Sequence, residues 1–242
     1  MMHNEYRSLE QIFGLKNHNA NYLVNVSVKN RYIYFEAPKV GCSTIKRTLQ
    51  KIEDPLFDNE NPKAIHNKRE SPLLSPNMLE HPLEYYIEEA QFFTFALVRN
   101  PFSRILSCYL DKFAKRGPNN LKLFPVLNLD PADEVSFPEF LEAVGRQDPN
   151  DMDIHWRPQA YLIPSHRIRF NFIGHFERFG EDLNTVLEKI FPAFDRVYSL
   201  NGHATGADNR LKEYYCDASE RLVREIYAKD FEQFAYSPVL PL

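Results

Sequence analysis

Two short segments combine the residue types that gather an anion. The first is Pro38-Lys39-Val40-Gly41-Cys42-Ser43-Thr44, between an apolar aromatic run and a helical pattern. A loop that leaves a strand's carboxyl end and opens a helix aims several backbone N–H groups at one point, and the helix dipole adds partial positive charge there. Gly41 lets the backbone approach an anion closely, Ser43 and Thr44 offer side-chain donors and caps, and Lys39 adds a mobile full charge. The second segment is Val98-Arg99-Asn100-Pro101-Phe102-Ser103-Arg104-Ile105-Leu106-Ser107. Arg99 ends an apolar run, where an unpaired guanidinium is costly to bury. Either a carboxylate or an anionic ligand would satisfy it, and its planar fork suits phosphate oxygens. Ser107 lies two turns further on, off the apolar stripe, so it either reaches the same anion or faces solvent.

The first loop lacks the leading glycine and the Gly-Lys-Ser/Thr ending of GxxxxGK[ST], which disfavours an ordinary ATPase or GTPase. Histidine is the natural proton acceptor near neutral pH. Of the eight histidines, His3 and His18 lie in a polar lead-in. His66 falls between the two segments, and His155 stands in Asp153-Ile154-His155-Trp156 beside the chain's only tryptophan. His81, His175 and His203 have better structural readings. No carboxylate cluster calls for a metal ion. Trp156 has the ring to stack on a sugar face, and Arg69, Arg157, Arg167 or Arg169 the charge to meet an acidic one, although aromatics are more often core and arginines solvated.

These residues need elements to hold them. Tyr32-Ile33-Tyr34-Phe35 reads as a strand, followed after Pro38 and Gly41 by a helix from about Thr44. Ile45, Leu49 and Ile52 form its apolar stripe, with Lys46, Arg47, Gln50 and Lys51 facing elsewhere. Phe92 to Val98 is a nearly continuous apolar run, suited to a strand buried on both faces. Pro101 suits a first helical turn, with Phe102, Ile105, Leu106, Tyr109 and Phe113 inward. Residues 1–30 read as a lead-in with a short helix near Leu9–Phe13. Residues 31–242 read as one domain, with an insertion around 116–165 that holds a helix over Phe137–Val144. A third strand over Phe170–Gly174 and helices over Glu181–Ile190 and Ala218–Tyr227 complete an α/β pattern: a parallel sheet flanked by helices.

Composition sets the outer bounds. With 43% hydrophobic and 26% charged residues, the 242-residue chain has the make-up of a soluble globular protein. A net charge of −4 gives no whole-molecule reason to expect nucleic acid as a partner. Three scattered cysteines, Cys42, Cys108 and Cys216, exclude a disulfide framework and suit a reducing compartment. No apolar run approaches the roughly 20 residues of a membrane span, and no signal-peptide core is seen, so a cytoplasmic location is expected.

Taken together, the segments resemble the sulfotransferase superfamily, and more closely its carbohydrate sulfotransferases of the family 2 type. PKVGCSTIKRTL resembles that family's 5'-phosphosulfate loop and RNPFSRILSCYLDKF its 3'-phosphate motif. DIHWRPQ, FNFIGHFERFGEDL and IYAKDFEQFAY extend the likeness from about Tyr32 to Tyr236. The resemblance implies a fold related to the P-loop kinases and transfer of a sulfuryl group from 3'-phosphoadenosine 5'-phosphosulfate (PAPS) to a hydroxyl of a carbohydrate, without metal. It assigns Lys39, Val40, Gly41, Cys42, Ser43 and Thr44 to the phosphosulfate, with Lys39 catalytic and Arg47 assisting. Arg99 and Ser107 go to the 3'-phosphate, and His66 occupies the region where relatives place a catalytic histidine. His155 is the second candidate for the base, or with Trp156 a substrate-binding residue. Ile163-Pro164-Ser165 stands where relatives often carry cysteine, which favours a smaller acceptor and a soluble, bacterial-type enzyme. A P-loop-like kinase or hydrolase and a non-catalytic nucleotide-binding relative stay open as alternatives.

Overall fold

The computed structural model describes residues 6–59, 61–192 and 206–241. They form two compact units, Met1–Val98 with Tyr161–Gly202, and Arg99–Ala160 with His203–Leu242.

The first unit is built on a four-stranded sheet in the order β1 (Val24–Ser27), β2 (Tyr32–Phe35), β3 (Phe93–Val98) and β4 (Phe172–His175). Strands β2, β3 and β4 are parallel, with Phe35 opposite Ala96 and Val98 opposite His175. These three strands are the expected parallel sheet, and the structure adds a fourth strand to it. β1 runs antiparallel to β2, pairing Val24 with Phe35, so the sheet is mixed. The polar look of residues 1–30 hid this strand, because its Asn25 and Ser27 are buried along with Val24 and Val26. The side chain of Asn25 accepts from Lys68 Nζ at 2.7 Å, which removes the cost of burying an amide. Ahead of β1, the expected helix Leu9–Phe13 begins with a capping box, Ser8 and Gln11 satisfying each other's backbone N–H.

Both central strands are buried along their length, as continuous apolar runs require. The helix Cys42–Glu53 follows β2 and buries Ile45 and Leu49. Its polar face departs from expectation, since Lys46 and Gln50 are also fully buried. Gln50 spends its amide on Ile65 O (3.0 Å) and Ser71 Oγ (3.1 Å). After β4 the chain turns through Phe176–Arg178 into the helix Phe179–Ile190, two residues earlier than the apolar pattern indicates.

The second unit is helical, comprising Pro101–Lys112, Phe137–Gly145, Asp217–Ile226 and Ala228–Gln233 with shorter turns. Asn100 caps the first of these by accepting from Phe102 N (3.0 Å), and Pro101 occupies its first turn. The core is strongly aromatic: Phe102, Phe113, Phe137, Phe140 and Trp156 are all buried. The rings of Phe113 and Phe140 lie 4.5 Å apart at their centroids. The polar stretch that follows Asp148 enters this core from Met152 onward, with Arg157 and Gln159 buried. Among the described residues, no helix is long and apolar enough to cross a membrane.

Candidate functional site

Lys39 and Gly41 both adopt the left-handed conformation, with φ of 71° each. Left-handed residues within a tight loop turn successive N–H groups towards a common centre, the geometry of anion-binding nests. At Gly41 the requirement for glycine is also steric. A Cβ there would come within 2.6 Å of the Phe179 ring and 3.2 Å of Phe176. The loop is thus pressed against the turn that follows β4, and the helix Cys42–Glu53 starts directly behind it. Val40 is buried, while Lys39, Ser43 and Thr44 remain partly open. Thr44 N donates to Gly41 O (3.0 Å), closing the first turn.

The setting of Cys42 disfavours its thiolate. Burial pushes its thiol up to about 12, and the nearby Glu36 carboxylate adds to the effect. Arg47 packs against its own unit, donating through Nε to Asn59 O (3.4 Å), while Asn59 Nδ2 donates to Arg47 O (3.0 Å).

The structure brings His66 to this loop. Its Nε2 lies 3.1 Å from Ser43 Oγ, and its Nδ1 lies 2.7 Å from Lys46 Nζ and 3.2 Å from the Tyr22 hydroxyl. Lys46 in turn pairs with Glu36 at 2.8 Å, both side chains being 1% exposed. Burial works against ionising Glu36, but the charge and hydrogen bond of Lys46, with the charge of Lys68, outweigh it and hold the carboxyl below its ordinary range. Lys68 is brought down to about 7, first by burial and then by Lys46, with Glu36 opposing. Glu36, Lys46, Lys68 and Tyr22 escaped sequence reasoning. Lys46 and Gln50, four residues apart beside an apolar stripe, carried the only signal of a second buried face.

Arg99, Ser107, His155 and Trp156 belong to the second unit. The Arg99 backbone is gripped by one carboxamide: Arg99 N donates to Gln159 Oε1 (2.9 Å) and Gln159 Nε2 donates to Arg99 O (2.8 Å). Gln159 is itself fixed by buried Asp230, which accepts from Gln159 N (2.9 Å) and Ala160 N (2.7 Å). The Arg99 guanidinium meets the carboxylate of Asp208 at 2.5 Å, the former 5% and the latter 51% exposed. Ser107 is buried in the helix Pro101–Lys112 rather than facing solvent.

His155 keeps a partly open ring whose Nδ1 lies 2.6 Å from Asp153 Oδ1. Burial opposes the charge on Asp153, yet hydrogen bonding from His155 keeps its carboxyl below the ordinary value. Trp156 corrects the expectation of a sugar-stacking ring. It is 0% exposed, packs edge-on to Phe113 at 5.8 Å, and donates from Nε1 to Gln147 Oε1 (2.8 Å). A ring with no open face cannot receive a ligand. Arg157 and Arg167 likewise hold backbone carbonyls, of Asn150 and Gln11. Among the described residues, no group of three His, Cys, Asp or Glu side chains is placed to hold a metal ion. His3 and His203 lie outside the described residues.

The family model described as "Sulfotransferase family" matches residues 23–237. Carbohydrate sulfotransferase 14 of Mus musculus is 29% identical over 230 residues, covering 87% of this chain and 59% of that protein. Carbohydrate sulfotransferase 10 of Xenopus laevis is 24% identical over 242 residues, covering 87% of this chain and 66% of that one. Carbohydrate sulfotransferase 9 of Homo sapiens is 26% identical over 242 residues, with 88% and 53% covered. The chain therefore spans less than two thirds of the length of these relatives. No solved structure matches it.

Proposed function

The chain belongs to the sulfotransferase family, and from that premise we propose that it transfers a sulfuryl group from PAPS to a hydroxyl of a carbohydrate. The observation that supports this reading is the loop Pro38–Thr44, where two left-handed residues lead into a helix N-terminus, a geometry suited to an anion. In the proposed reaction the acceptor oxygen bonds to sulfur as the bond from sulfur to the 5'-phosphate oxygen breaks. A histidine takes the hydroxyl proton, and the products are a sulfate ester and adenosine 3',5'-bisphosphate. Lys39 and the loop N–H groups stabilise the charge that grows on the leaving phosphate oxygen. Arg99 and Ser107 recognise the 3'-phosphate, the group that separates this donor from ordinary adenine nucleotides.

The direct test is incubation with sulfur-labelled donor and a panel of glycans and glycolipid extracts. Label recovered in an acceptor supports the reading. Label that stays on the donor across the panel, together with thermal stabilisation by ATP and Mg2+ but not by adenosine 3',5'-bisphosphate, would overturn it in favour of a kinase-like protein.

The pairing of Arg99 with Asp208 adds a second expectation. The 3'-phosphate must displace a carboxylate already on the guanidinium. Exposed ion pairs contribute up to about 1 kcal/mol, so Asp208→Asn should tighten adenosine 3',5'-bisphosphate roughly fivefold by isothermal titration calorimetry. Unchanged or weaker binding would show that Asp208 does not compete for the site.

A further inference from the structure

His66 is surrounded by groups that decide which of its nitrogens carries a proton. A lysine ammonium has three donors and no lone pair. With Lys46 Nζ 2.7 Å away, Nδ1 of the imidazole must accept. The single proton of the neutral ring then sits on Nε2, which faces Ser43 Oγ and the loop. Lys46 is not free to turn away, because Glu36 holds it from the other side at 2.8 Å inside the unit.

The neighbouring charges oppose a second proton on the ring. Lys46 from the helix Cys42–Glu53 faces Nδ1 directly, and Lys68 and Glu36 stand within the same cluster. Among the described residues, Tyr22, pushed above its ordinary value mainly by burial, and the Cys42 thiol are further titratable groups of this cluster. Neither supplies an anion near neutral pH to offset Lys46. An imidazolium beside the Lys46 ammonium would place a second cation against the Glu36 carboxylate that already pairs with Lys46.

We propose that Lys46 is a positioning residue that locks His66 as the neutral Nε2–H tautomer, and that His66 donates a hydrogen bond to the anion at the loop instead of accepting the acceptor's proton. This rests on the sulfuryl-transfer reading above. His66 then stabilises charge on the transferring group, alongside Lys39.

Two measurements test the assignment. Nitrogen-15 histidine NMR of the ligand-free protein should show His66 as the Nε2–H tautomer across pH 6 to 8, and the double variant Glu36→Gln/Lys46→Met, which removes both buried charges together, should release that preference. A Nδ1–H ring, or one that titrates in this window, overturns the Lys46 role whether or not sulfuryl transfer is detected. In transfer assays, His66→Gln keeps an N–H where Nε2 stood but is no base. It should retain turnover within about tenfold of wild type, whereas His66→Ala should lose on the order of 10²-fold, the usual cost of one lost donor. The limb of the kcat–pH profile set by the base should survive in His66→Gln. Equal collapse of both His66 variants, with loss of that limb, would make His66 the base. Failure of the wild-type protein to transfer label would count against sulfuryl transfer itself while leaving the NMR result to judge the tautomer.

Discussion

Replacing Lys39 with alanine is expected to lower kcat by about 10²–10³-fold, the range seen when one donor to a developing oxyanion is removed, while nucleotide affinity falls far less. The asymmetry follows from where charge changes. In the proposed reaction, loop N–H groups and the helix terminus would already meet the phosphosulfate anion in the ground state. Charge on the bridging oxygen appears only as the sulfur–oxygen bond breaks, so a cation that answers it acts on kcat. Lys39 suits that role because its left-handed backbone places a flexible, partly open side chain at the rim of the loop. Lys39→Arg should recover part of the rate by keeping the charge. Steady-state kinetics with saturating acceptor separate the outcomes: a change confined to the donor's KM would make Lys39 a binding residue only.

Arg104→Ala is expected to destabilise the protein by about 3–5 kcal/mol, the usual cost of stripping one partner from a buried charge. Arg104 is 1% exposed. Its guanidinium donates to Arg157 O at 2.9 Å and to Ile154 O at 3.4 Å. It also opposes the effect of burial on Asp230, whose carboxyl lies above its ordinary value chiefly through desolvation. The sign of the pH dependence follows. A carboxyl with a raised folded-state pKa favours the fold at acid pH and costs stability as pH rises between its unfolded and folded values. Without Arg104 that gap widens. The deficit of Arg104→Ala in urea melts should therefore be largest near neutral pH and shrink below the ordinary aspartate range. A deficit independent of pH would leave only lost packing and lost carbonyl bonds. Because Asp230 holds Gln159 and Gln159 grips Arg99, weaker binding of adenosine 3',5'-bisphosphate should accompany the loss.

The elements around the two motifs were legible because their signals are local. Tyr32-Ile33-Tyr34-Phe35 and the run to Val98 are apolar on both faces, which only a covered strand tolerates, and they form β2 and β3. Asn100-Pro101 is a cap followed by a residue that cannot donate, and a helix begins there. β1 was not legible, since half of its buried residues are polar and the lysine that compensates Asn25 lies 43 positions away in the chain. Trp156 was ambiguous for another reason. An indole ring suits a sugar face or a core equally well by type, and here the core holds it, with Nε1 donating to Gln147 Oε1.

The sequence by itself determined the loop, its Gly41, the cation at Lys39 and the arginine that ends β3, because each follows from residue type and spacing along a few positions. It also singled out His66 and His155 among eight histidines. Only the tertiary structure decided what those groups face. Glu36 with Lys46 behind His66, Asp208 on Arg99 and the Phe179 ring over Gly41 are contacts between residues that chain order does not relate. Burial makes them matter: in a low-dielectric interior the partner across the fold, not the neighbour in sequence, determines where a proton rests and which charge is available to a ligand.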